Sequence, residues 1–381
     1  MAIEKTGIRE DLLTIKEEFQ DDFPNIIFVS RSFANYIAEY FLDSPQRQDF
    51  LPANLRNEKA HTDLTRCWSK ILSIFKKKYN IKILVESNWT YGNTRDSHPA
   101  AITNGIAVII IYKECYMSSY ESRMIINNLK VIKPFEGTLI ITYNQEELQR
   151  HLTADVVARN QIVSCGSPRF DSLLLKNQKM REFPNNKKSI VFLIPDKYSE
   201  EELNKFPAEY REFQNRMDNY RTEIITMMID AAWRMPQFDF IIKTKVTSST
   251  INFVNLMLTG KKLPSNIQVI NGKLAPSVLN NTFAAITFHS TATVDCIAAN
   301  IKTASWSDYC YDRRNDHFRI ETPIELVTPI QGLEEFCRWI IANESNNNEE
   351  LRLVFLDNSV GNSDGKSSIR VFEKFNFYLR D

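Results

Sequence analysis

The sequence predicts an α/β protein made of two successive parallel-sheet domains. Three observations predict it. Short apolar runs of strand length alternate with helix-length amphipathic stretches from residue 25 onward. A polar, basic stretch, NQKMREFPNNKKS at 177–189, interrupts that alternation and reads as a linker. The alternation then restarts. The expected domains are 1–180 and 187–345, with 346–381 as a C-terminal tail.

In the first half, residues 1–24 read as an acidic, partly helical lead-in. NIIFVS, Asn25–Ser30, is the first clear strand; it is apolar throughout, as a parallel strand covered on both faces is. SFANYIAEYFL follows as a helix with Ser32 as its cap. Leu64–Lys78 is an amphipathic helix with a basic end. The next four strands are Ile81–Ser87, Gly105–Glu114, Gly137–Asn144 and Asn160–Gly166. SPRFDSLLLK then turns into a helix, with Pro168 near its first turn, where a missing amide costs nothing. In the second half, Ser189–Asp196, Phe238–Lys245, NIQVING, FAAITFHS and Ile301–Trp306 read as strands. Residues 209–234 and GLEEFCRWIIANE read as helices, LRLVFLDN as a helical turn or strand, and SIRVFEKFNFYL as a final helix. There is no internal repeat.

Bulk properties narrow the function. A chain of 381 residues can bury two ordinary cores, and 43% apolar content excludes a fully disordered chain. Lys plus Arg is 47 and Asp plus Glu is 47, which argues against a general nucleic-acid binder. Six widely spaced cysteines with no CxxC pair indicate neither a zinc knuckle nor a thioredoxin-type site; reduced thiols and a cytoplasmic setting are expected. MAIEKTGIREDL is not a signal peptide, and the longest apolar run, Ile106–Tyr112, falls far short of a membrane span. Lys76, Lys77 and Lys78 form either a solvated helix end or a peripheral contact with anionic lipid.

Ligands of parallel α/β folds sit at the carboxyl ends of strands, so those ends are where the chemistry is read. In the second half, Lys243 and Lys245 end one strand and His289, Ser290 and Thr291 end another. Asp295 lies one helical turn beyond Thr291 and shares its face. Two uses fit this pattern. Ser290 or Thr291 caps the following helix by accepting a first-turn amide. Alternatively, those amides and hydroxyls hold a phosphate, a lysine supplies charge, Asp295 accepts from ribose hydroxyls, and His289 donates to a leaving phosphate.

In the first half, Glu86, Asp96, His98 and Glu114 are candidate catalytic groups, because a carboxylate at a strand end can act as a base or a nucleophile. The plain alternative for each is a polar end to a buried strand. In SCGSPRFD, Ser164–Asp171, a Gly followed by Ser-Pro leaves free amides at a strand-to-helix turn. Ser167 and Arg169 are therefore candidate ligand contacts, with Arg169 pairing an acidic ligand or Asp171; a tight interdomain turn is the alternative. No GxGxxG, Walker A, GxSxG or DxD motif occurs, and no cluster has metal-ligand spacing, so no metal site is expected.

GSPRFD, the lysine-ended strand FIIKTK and TFHSTATVDCIAANIKTASW stand in an order that resembles the two-domain glycosyltransferases of the B-type fold. More narrowly, it resembles bacterial surface-carbohydrate transferases and the related CDP-glycerol glycerophosphotransferases. YKECY, Tyr112–Tyr116, and SDGKSSIR, Ser363–Arg370, resemble further short segments of those proteins. The glycerophosphotransferases' Lys-x-His-Pro stands here only as KTKVT, which puts sugar transfer ahead of glycerol phosphate transfer.

The resemblance implies two Rossmann-like domains facing a cleft, with the final helix crossing back to the first. It implies Ser290 and Thr291 as phosphate-binding hydroxyls, and Asp295 where a ribose-contacting Glu is usual. The implied activity is metal-independent transfer of a sugar from a CMP-, UDP-, GDP- or TDP-linked donor, including an acidic sugar such as Kdo. The implied acceptor is a glycan or lipid-linked glycan of a surface polysaccharide or lipopolysaccharide. Three other readings stay open: a CDP-linked polyol-phosphate transferase, a nucleotide-sugar epimerase of the same architecture, and a non-catalytic glycan- or protein-binding module. The last would use aromatic stretches such as ESNWTYGN and WSDYCYD.

Overall fold

A computed structural model describes residues 1–3, 7–43, 45, 52–114, 119–176, 188–203, 208–245, 247–272, 281–287, 291–306, 326–342 and 349–379. The chain forms two compact units, Met1–Lys176 with Leu356–Asp381, and Asn177–Phe355. The expected linker at 177–189 lies almost wholly outside the described residues.

The first unit is built on a six-stranded sheet of order β2-β1-β3-β4-β5-β6. Its strands are β1 (Ala2–Ile3), β2 (Phe28–Val29), β3 (Ile83–Glu86), β4 (Ala107–Tyr112), β5 (Leu139–Thr142) and β6 (Ile162–Ser164). All neighbours are parallel. Helices cover the sheet, so the central strands are apolar on both faces; Val108 to Ile111 are fully buried. The helix Glu58–Tyr79 shows how one face is sealed. His61, Leu64, Trp68 and Leu72 recur at helical spacing and are its buried residues. Asn57 caps its first turn by accepting from the Ala60 amide at 3.3 Å, and Asn80 ends it in the left-handed region.

Two details of this unit differ from the sequence reading. The lead-in contains β1, which inserts between β2 and β3. A two-residue strand carries no pattern; pairing holds it, through Ala2 N–H to Ile27 O and Val85 N–H to Met1 O. NIIFVS is a two-residue edge strand rather than a covered one, and the next helix is capped by Ser30, not Ser32; the Ser30 hydroxyl accepts from the Ser32 amide at 3.1 Å.

The second unit repeats the plan with order β12-β11-β10-β7-β8-β9, again all parallel. Its strands are β7 (Lys188–Leu193), β8 (Phe238–Thr244), β9 (Ile267–Asn271), β10 (Thr282–Thr287), β11 (Lys302–Trp306) and β12 (Val327–Ile330). From β7 the chain builds outward to β8 and β9, then returns to lay β10 on the other side of β7. The order therefore reverses between β7 and β10, which is where doubly wound sheets open a crevice. β12 was hidden in the sequence by Pro329, which an edge strand tolerates. LRLVFLDN is part of a helix, Glu349–Val360. Its buried Arg352 donates to Ile297 O and Ala298 O, each at 2.9 Å, and so closes the end of the helix Thr291–Ala298.

The final helix, Ser367–Leu379, belongs to the first unit and stacks Phe372 on Phe19 of the helix Ile8–Phe19, ring centroids 4.0 Å apart. Its free amides are taken by one buried carboxylate. Asp171 accepts from Ser367 N at 3.0 Å, Ser368 N at 2.6 Å and Ser368 Oγ at 2.7 Å. Arg370 Nε donates to Cys165 O at 2.8 Å. GSPRFD and SDGKSSIR thus meet in space, and they meet closely: a Cβ on Gly166 would clash with Ser367 Oγ. The cysteines at 67, 165, 296 and 337 are free thiols. Among the described residues no helix is long and apolar enough to cross a membrane.

Asp171→Ala leaves two buried amides without an acceptor and should cost about 1–3 kcal/mol. Urea unfolding of the variant should show that loss, with faster proteolysis within 356–381; unchanged protection there would contradict the assignment. A second prediction concerns pH. His151 is fully buried between Tyr112 and Trp89, and its Nδ1–H donates to Glu147 O at 2.9 Å. Burial pushes its pKa down to about 4. Between about 4 and 6.5 the unfolded chain binds this proton and the folded one does not, so His151 taken alone makes stability rise with pH across that window, by on the order of 3 kcal/mol, while the neighbouring Glu147 carboxyl, raised by burial to about 8, acts in the opposite sense. His151→Leu should remove the His151 share, making the change in urea midpoint from pH 4.5 to 7 less positive than in the wild type; an unchanged pH dependence would contradict it.

Candidate functional site

The carboxyl ends of β10, β7 and β8 lie side by side, and they carry most of the charged residues picked out in the second half of the sequence. Lys243 is the penultimate residue of β8, Lys245 follows that strand, and Asp295 lies in the helix after β10. The structure brings these three together. Lys243 is half-buried, and its ammonium is pushed below the ordinary lysine value by burial first and by Lys245 second, while Asp295 and Asp196 pull the other way. No hydrogen bond to its amine is made among the described residues.

Asp196, which sequence reasoning passed over as a strand end, is the hub of this edge. Its Oδ2 accepts from Lys245 Nζ at 2.8 Å and its Oδ1 from the Thr247 hydroxyl at 3.2 Å. The signal that would have found it is a carboxylate directly after the apolar run of β7. Thr291 opens the helix Thr291–Ala298, so first-turn amides stand at this edge as well. His289 and Ser290 lie outside the described residues. Two ammonium groups beside a helix start, at the reversal of strand order, form an arrangement suited to a phosphate or other anion.

Of the four catalytic candidates in the first unit, Glu114 is the accessible one. Glu114 follows β4, is half-exposed, and lies 3.5 Å from Lys113 Nζ. Burial raises the Tyr112 phenol and the Glu147 carboxyl, and the charge of Glu114 adds to both shifts.

The structure buries the other three catalytic candidates. Glu86, Asp96 and His98 are at most 5% exposed and are enclosed in internal pairs. Glu86 accepts from Ser97 Oγ at 2.8 Å and lies 3.3 Å from His98 Nε2. Asp96 holds His61 Nδ1 at 2.7 Å and Arg56 Nη2 at 3.1 Å. The reason is the segment 87–96, which runs under cover with nearly every residue buried, so these polar strand ends face protein. Trp89 is fully buried against Phe135 and His151, which removes it from any sugar-stacking role.

Ser167 and Arg169 are also turned inward. The Ser167 amide donates to Val360 O at 3.0 Å, and the Arg169 amide to Asp11 Oδ1 at 3.0 Å. Asp11 is fully buried, with its pKa raised by burial against the pull of Arg169, and it also accepts from the Tyr143 and Ser167 hydroxyls. The amides expected to be free thus hold the first unit together. Of the basic run, Lys76 is engaged by Asn104 O at 2.6 Å and Gly105 O at 3.2 Å, so it stitches a helix end to a turn. Lys77 and Lys78 are exposed. Among the described residues no group of three or more His, Cys, Asp or Glu side chains is placed to hold a metal ion.

No protein-family model matches the chain, and no curated protein sequence does. Solved structures match it end to end. The UDP-GlcNAc 2-epimerase of Neisseria meningitidis, bound to UDP-GlcNAc, aligns with a TM-score of 0.53 at 12% identity, covering 100% of this chain and 99% of that one. The UDP-GlcNAc 2-epimerase of Methanocaldococcus jannaschii aligns with a TM-score of 0.52 at 12% identity, covering 99% and 98%. A glycosyltransferase of Rickettsia africae aligns with a TM-score of 0.50 at 12% identity, covering 100% and 98%. The likeness is one of fold, and it carries no specific tie to the glycerophosphotransferases. The chain has the two-domain, parallel-sheet, Rossmann-like architecture of the glycosyltransferase B type.

Proposed function

We propose that this protein acts on a nucleotide-activated sugar and turns it over without a separate acceptor, as an epimerase does. The observation that supports this most is the end-to-end likeness to solved structures named as UDP-GlcNAc 2-epimerases. A fold by itself fixes no reaction, so the local chemistry matters. It agrees: a half-buried lysine with no hydrogen-bond partner among the described residues stands at the reversal of strand order, beside a helix start.

In this reading the nucleotide's phosphates take Lys243, Lys245 and the first-turn amides of the helix Thr291–Ala298. Ser290 and Thr291 add hydroxyls, Asp295 accepts from the ribose, and His289 balances charge on a departing phosphate. Lys245 must leave Asp196 to do so. Inverting a sugar carbon needs one group to take its proton and a proton returned to the opposite face, and a C–O bond to phosphate broken in the first step either re-forms in the second or leaves free nucleotide. Glu114, the accessible one of the four first-unit candidates, is the group assigned to proton removal in this reading. Transfer to a glycan acceptor is the second reading, favoured by the likeness to the Rickettsia africae glycosyltransferase.

The test is to incubate the protein with UDP-GlcNAc, and separately with a CMP-linked acidic sugar, without acceptor, and follow the anomeric region by proton NMR. A new sugar signal or free nucleotide is expected. Lys243→Met should lower kcat/KM about tenfold or more, by loss of a charge-assisted phosphate contact. Glu114→Gln should stop turnover while donor binding persists. Turnover that appears only after a glycan is added would establish the transferase reading instead. Absence of any nucleotide-induced thermal shift would overturn both.

A further inference from the structure

The long helix Ala208–Arg234 carries a guanidinium that is 1% exposed and lies beneath the loop after β7. We propose that this residue, Arg221, is a positioning residue for the anion site, setting where the loop presents Asp196 and Lys197. The inference rests on the reading above that nucleotide phosphates bind at that edge.

Arg221 grips the loop by its main chain. Its Nε donates to Pro195 O at 3.3 Å and its Nη2 to Asp196 O. Gln214 Oε1 takes Nη2 at 3.3 Å, and Asp218 Oδ1 takes Nη1. Two successive carbonyls are thus turned inward onto one charged group. With the peptide on each side of Asp196 held, its carboxylate is left facing the β8 side, where it meets Lys245 and Thr247.

The same grip reaches the next residue. Asp218, anchored by Arg221, uses its other oxygen to hold Lys197 Nζ, and the Lys197 amide donates at 2.9 Å to the hydroxyl of fully buried Thr250. A buried guanidinium is stable only when its donors find acceptors, and here most of them are found in or through this loop. A planar fork can hold two carbonyls and a carboxylate together. An ammonium on a flexible stem cannot match that geometry, so lysine is a poor substitute.

The experiment is UDP binding by calorimetric titration to the full-length wild type, Arg221→Lys, Asp196→Asn and the double variant. Arg221→Lys should weaken binding about tenfold, as when one partner of a buried charge network is lost. Asp196→Asn frees Lys245 and should strengthen binding about threefold, the scale of a surface ion pair. In the Arg221→Lys background that gain should vanish, because Arg221 acts through the Asp196 loop. Additive effects, or unchanged binding by Arg221→Lys, would overturn the inference while leaving the nucleotide reading intact. Absence of wild-type binding to both UDP and CMP, titrated separately, would overturn the nucleotide reading and this inference with it. If Arg221→Lys does not fold, Asp218→Asn at the half-exposed end of the same relay replaces it. A loss of about threefold or more is then expected, and unchanged affinity would overturn the proposal.

Discussion

Within each sheet the described strands all run parallel, and this constraint orders everything else. A parallel sheet places every strand's carboxyl end on one edge and sends each connection back across a face through a helix. The faces are then spent on burial. The carboxyl edge collects loops and helix starts, whose unpaired amides make it the natural place for a ligand. In the second unit the order reverses between β7 and β10, and Lys243, Asp196 and Asp295 gather around that point.

The two units use their strand ends differently. In the first, most polar ends are turned inward. Glu86 is consumed by Ser97 and His98, and the turn after β6 by Asp11, Asp171 and the final helix. These contacts leave Glu114 as the accessible carboxylate among the four candidates. In the second unit the edge keeps its charges solvent-reachable, and one buried cation, Arg221, lies a layer below. A rigid, internally satisfied layer under a solvent-reachable one is what a preorganised anion site needs.

Much of this was legible in the residues. Long apolar runs such as Ile106–Tyr112 and Ser189–Ile194 mark central strands because both faces are covered. β1 and β12 were not legible, since two residues carry no period and a proline argues against a strand except at an edge. The strand-end rule picked Lys243, Lys245 and Asp295, which the fold gathers at one edge. It also picked Glu86, Asp96 and His98, which the fold encloses, because a polar residue after an apolar run reads the same whether it meets solvent or a covering loop. Arg221 was invisible for a related reason: within a helix rich in charge, only the fold shows which guanidinium is buried.

The most direct measurement is hydrogen exchange of the full chain with and without saturating UDP. The account predicts slowed exchange at 193–198, 243–251 and 291–298, the three segments at the carboxyl ends of β7, β8 and β10. Protection confined to the first unit, or none at saturation, would contradict it.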